Sequence, residues 1–120
     1  MVQLIGERVF VYWNLHRERW SVRLRGRVVA HPTHLILERV LFRVSEAGRQ
    51  RVLRERRKNV HAGAVGVVVG VGCEERPVGV RGVRVTYNPY RGPGFYCAET
   101  GEPVTDAPLA YLEPGRRVTV

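Results

Sequence analysis

A chain of 120 residues suits one domain, 1–120, and leaves no room for an enzyme with separate cofactor and substrate lobes. Hydrophobic residues make up 44% of it and ten aromatics add core volume, which argues against disorder. Twenty basic side chains, all arginine except Lys58, oppose eleven acids; residues 1–60 hold 14 basic and 5 acidic groups and residues 61–120 six of each, so the field that attracts phosphates belongs to the first half.

No apolar run approaches the roughly 18 residues that cross a bilayer, and MVQLIGER lacks the order of a signal peptide. A soluble, cytosolic protein without a membrane partner is expected. Cys73 and Cys97 are too few for a disulfide scaffold or a four-cysteine zinc site and read as free thiols.

In chain order, VFVYWNL (Val9 to Leu15) reads as a strand, HRER as a hairpin connection, and WSVRLR (Trp20 to Arg25) as a strand alternating Trp20, Val22 and Leu24 against Ser21, Arg23 and Arg25. RVVAH follows Gly26 and stops at Pro32, and Leu35 to Val44 is a strand, or a strand pair with a bulge. These 44 residues read as an antiparallel meander. Residues 45–58, SEAGRQRVLRERRK, carry helix formers, Ser45 as N-cap and a basic C-terminal end, with a thin apolar face of Ala47, Val52 and Leu53. Asn59 stops this helix. Val60 to Gly72 is β-branched with glycines at 63, 66, 70 and 72. It fits no phosphate-loop pattern and reads as a close-packed or bulged strand. Glu74 to Gly82 is a loop, RVTY a strand, Asn88-Pro89 a turn, and FYCAE a short strand. Two strands across Pro114-Gly115 close the chain. The fold class expected is α+β, a mostly antiparallel meander with one principal helix at about 45–58.

Acid–base and metal chemistry are poorly represented. Asp106 is the only aspartate, no HxxxH spacing occurs, and His31 and His34 flank Pro32 at strand ends, so no catalytic residue, metal or cofactor is expected. A binder's inventory remains. Arg23, Arg25 and Arg27 recur every second residue; were the strand to continue through Gly26, their guanidinium groups would form one row able to fork onto phosphates, or a plain solvated face. Thr86, Tyr87, Asn88 and Tyr90 can bond or stack on a nucleotide, though Asn88 before Pro89 also suits a turn and the tyrosines also suit a core.

The segments VYWNL, GRVVAH, FRVSEAGRQRVLRERRKNVHA and VTYNPY, with the later TGEPV, resemble the phage-encoded anti-Thoeris sponge proteins of the first type described, over residues 8–120. The resemblance implies sequestration of cyclic ADP-ribose isomers without cleavage, with a second pocket for cyclic oligonucleotides in larger assemblies. It implies Arg27, Asn88 and Arg56 at the first pocket and Arg23 and Thr86 at the second, in the host cytoplasm; a homo-oligomer, a dimer or a higher assembly such as a hexamer, is expected also because the thin-faced helix and open meander leave apolar strand surface that 120 residues cannot cover alone. The aromatic that stacks adenine in that family has no counterpart in PVGVRGVRV, which leaves Phe95, Tyr87 or Tyr90 for the task. Two other readings stand beside it: a small basic nucleic-acid-binding protein, held mainly by phosphate contacts, and an inhibitor of a host enzyme.

Overall fold

A computed structural model of the chain describes residues 3–55, 62–72, 82–88 and 94–115. Eight strands, β1 (Arg8–Asn14), β2 (Arg19–Leu24), β3 (Arg27–Ala30), β4 (Leu35–Val44), β5 (Ala62–Val71), β6 (Val83–Tyr87), β7 (Phe95–Cys97) and β8 (Asp106–Leu112), form a single sheet. Their order is β3-β2-β1-β5-β4-β8-β6-β7, antiparallel throughout except for the parallel pair β6 and β8.

The sheet is strongly curled. In a flat sheet β2 and β7, six places apart, would stand about 29 Å from one another at about 4.8 Å per strand. Instead the Trp20 ring of β2 stacks on Phe95 of β7 with centroids 6.3 Å apart. The alternation of each strand therefore divides an inner face from an outer one. Val9, Val11 and Trp13 of β1, Trp20 and Val22 of β2, Ala64 and Val68 of β5, and Val85, Phe95 and Leu112 turn inward and are buried in one core. Trp20 also donates its indole N–H to the Glu113 carbonyl at 3.0 Å, tying β2 to the segment after β8.

Two expectations are corrected. The α+β class with a principal helix at 45–58 gives way to a single eight-stranded mixed sheet, in which no helix forms a second layer among the described residues. What lies between β4 and β5 is a ten-residue helical segment, α1 (Glu46–Glu55), absent from the principal packing contacts, with Ala47, Gln50, Arg51 and Arg54 exposed. Its thin apolar stripe is the physical reason, because it offers too little area to cover a sheet. The meander is also interrupted: β5 comes back between β1 and β4, so β3 is an edge strand rather than the partner of β4.

Locally, β4 is one ten-residue strand with a bulge at Arg39, whose φ of 52° lies in the left-handed region. The loop expected at 74–82 and the strand expected after Gly115 fall almost wholly outside the described residues. Among the described residues no helix is long and apolar enough to cross a membrane.

Candidate nucleic-acid interface

The outer face of β1 and β2 holds two aromatic rings and a cation in contact. Phe10 and Tyr12, two residues apart on β1, face outward with ring centroids 6.3 Å apart. Across the ladder Phe10 pairs with Arg23, whose guanidinium carbon stands 5.6 Å from the Phe10 centroid and 5.6 Å from that of Tyr12. Both distances lie within cation–π range, so the rings hold the charge in place without neutralising it. Phe10 lies across β5 at Gly63, where a β-carbon would come within 2.2 Å of its Cζ atom.

Register extends this cluster into a stripe. Arg23, Phe10, Val65, Leu41 and Asp106 are successive cross-strand partners over β2, β1, β5, β4 and β8. Leu41 is 44% exposed, unusual for a leucine in mid-sheet. Arg8 and Arg43 flank the stripe on the same face, and neither they nor Arg23 and Arg27 have an ion-pair partner among the described residues. In the second half the one described arginine is paired with carboxylates. Arg84 is held by Glu113 through its Nε at 2.6 Å and faces Glu99 at 3.8 Å, and the Glu113 bond raises its pKa above the ordinary arginine value.

The residues expected to bind ligand do not converge. Arg25 (φ 51°) and Gly26 (φ 82°) form a two-residue turn of left-handed conformations, which ends β2 and breaks the expected arginine row. Arg27, opposite Leu24, consequently shares the face of Leu24, whereas Arg23, opposite Val28, stands on the other. Thr86 is fully buried and donates its hydroxyl to the Pro114 carbonyl at 2.8 Å. Asn88 is buried at the end of β6, its backbone N–H donating to Gly94 at 2.7 Å. Tyr87 and Phe95 pack on each other in the core with centroids 5.2 Å apart, so neither offers a face to a base. Arg56 and Tyr90 lie outside the described residues, as does Cys73.

Only Arg23 of the expected set is therefore part of the aromatic cluster. Phe10, Tyr12, Arg8, Arg43 and Leu41 escaped sequence reading because VFVYWNL is apolar at every position before Asn14 and hides which residues face out. Aromatics on both parities of one strand were the available signal, since a half-solvated strand alternates with polar residues.

Two other polar features are structural. Ser21, fully buried, receives the Asn14 side-chain N–H at 3.3 Å and meets His31 Nδ1 at 3.0 Å. Burial pushes the His31 pKa down, and Arg17 and Arg19 push it the same way. Burial pushes the Cys97 thiol up, but the Thr100 side chain and the Thr100 and Glu99 backbone groups bond to it and bring it below its ordinary value.

A family model described as the Mycobacterium phage L5 gene 82 protein matches residues 3–120. The Gene 82 protein of Mycobacterium phage L5 is 39% identical over 116 residues, spanning 88% of this chain and 89% of that protein. No solved structure matches.

Proposed function

The chain belongs to the family of the Mycobacterium phage L5 gene 82 protein and is a phage protein, and on that premise we propose that it binds single-stranded nucleic acid on the outer face of its sheet, without altering it, in the cytoplasm of the infected cell. The observation that carries this reading is the Arg23 guanidinium within 5.6 Å of both the Phe10 and Tyr12 ring centroids, beside Arg8 and Arg43, which like it have no carboxylate partner among the described residues. Phosphates seek unpaired guanidinium groups, and unstacked bases seek aromatic faces. A duplex buries its base faces, so a sheet face bearing exposed rings suits a single strand better.

The narrower function implied by the resemblance, sequestration of cyclic ADP-ribose isomers or cyclic oligonucleotides, would engage Arg23 on this same face. Assembly to a dimer or higher belongs to the proposal as well, through the edge strands β3 and β7, and light scattering measures it. Fluorescence anisotropy with a labelled oligothymidylate tests the main reading. Arg23→Ala and Phe10→Ala should each weaken binding by about tenfold, while the far-ultraviolet dichroism of the sheet is kept. Calorimetric binding of a cyclic ADP-ribose isomer, with no binding of any oligonucleotide, would replace the polymer by the cyclic ligand.

A further inference from the structure

At the opposite end of the stripe from Arg23 the outer face sinks into an open depression of about 490 Å³. Arg8, Arg39, Leu41, Asp106 and Pro108 are among the residues that line it. Its volume suits one nucleotide unit. Its charge pattern is uneven: of its two arginines one is paired at 4.0 Å with Glu38, and its single exposed aspartate accepts the Thr105 hydroxyl at 3.5 Å and has no ion-pair partner among the described residues.

A carboxylate in a phosphate-binding face repels the backbone it lies under, unless it accepts hydrogen bonds from a base. Of the four bases, guanine presents two parallel donors on one edge, N1–H and N2–H, at the spacing of two carboxylate oxygens; thymine presents one N–H between two acceptors, which a carboxylate repels. Leu41 and Pro108, both exposed and both lining the depression, offer such a base apolar surface. The bulge at Arg39 supports the same assignment. A non-glycine residue held at φ 52° inside a strand is strained, and such residues gather where a side chain must be re-aimed; this one lines the depression.

We propose that the depression formed by Arg8, Arg39, Leu41, Pro108 and Asp106 is a guanine-selective subsite, with Asp106 reading the base edge and the two arginines holding the adjoining phosphate. This inference rests on the outer face being the nucleic-acid surface. Asp106 and Arg23 terminate the same cross-strand row, four strand spacings apart along the outer face, so one bound strand reaches both.

The test is anisotropy with two labelled oligonucleotides of equal length, oligothymidylate and the same strand carrying one central guanine, together with competition by unlabelled GMP and by a cyclic guanine dinucleotide. The single guanine should tighten binding by about tenfold. Asp106→Ala and Asp106→Asn should abolish that gain, so that the two strands bind with equal affinity. GMP should displace the guanine strand from the native protein more readily than TMP does. Equal affinity for the two strands, or a guanine preference that survives Asp106→Ala, overturns the subsite and leaves the outer-face reading intact. Failure of both strands to bind overturns both. Tighter binding of the cyclic dinucleotide than of the guanine strand overturns the polymer as the source of the base.

Discussion

A β-carbon built on Gly63 stands 2.2 Å from Phe10 Cζ and 3.0 Å from the Val11 carbonyl oxygen. The ring tip can swing away and the backbone can shift a few tenths of an ångström, so Gly63→Ala should cost only about 1–3 kcal/mol while dislodging Phe10 from Arg23. Urea unfolding should show that modest loss, and oligonucleotide affinity should drop about as far as in Phe10→Ala. A variant that binds normally would detach Phe10 from the site. His31 gives a pH prediction. Asn14 donates to Ser21, which leaves the Ser21 hydroxyl proton for His31 Nδ1, an acceptor only while the imidazole is neutral. Because burial and the arginines depress the folded pKa, the unfolded chain takes up the proton first as pH falls. The contribution is whole above the ordinary histidine value of about 6.5 and is lost as pH falls below it. The urea midpoint should drop between pH 7 and pH 5.5, and His31→Gln should flatten that slope.

At the scale of the element, the alternation of Trp20, Val22 and Leu24 gave the inner face of β2 correctly, because a strand with one dry face must repeat every second residue. The arginine row failed one residue later. Arg25-Gly26 is not among the Asn-Gly or Asp-Gly pairs that announce a two-residue turn, yet both residues take positive φ and the chain reverses. The bulge in β4 was legible only within the strand-pair alternative, since LILERVLFRV carries no glycine at the residue that turns left-handed, and the structure has one strand that contains the bulge. Arg39→Val should therefore destabilise the protein by about 1–3 kcal/mol, because a β-branched side chain tolerates that φ worst, whereas Arg39→Gly should leave stability close to native. Urea unfolding of the pair measures the difference. The helix was overread for a related reason: residues 45–58 have the composition and cap of a helix, but composition does not state the area available for packing.

For the molecule as a whole, the charge partition seen in the sequence reappears as geometry. The basic half supplies β1 to β4, with Arg8, Arg23 and Arg43 on the outer face and without ion-pair partners among the described residues, and the balanced half spends Arg84 on Glu113 and Glu99. The slope of log affinity against log salt should accordingly fall by roughly 0.7 for each phosphate contact removed by Arg8→Gln or Arg43→Gln. Arg84→Gln should leave the slope unchanged and lower stability instead. Curling the sheet also decided that Phe95 was core, since it meets Trp20 only when distant strands come face to face, which no local pattern records; Tyr87 follows it inward as its partner across β6 and β7. The place of β8 has a further consequence, for synthesis. It lies between β4 and β6, although both are made before it. As the chain emerges, β1 to β5 can pair, but β6 and β7 have nothing to dock on and the ten-residue β4 stays open along one side. An open strand edge invites pairing with other chains. The nascent protein therefore passes through a sticky half-sheet whose lifetime is set by translation speed over the last stretch of message, so slow codons before Asp106 should lower the soluble yield without changing a single residue.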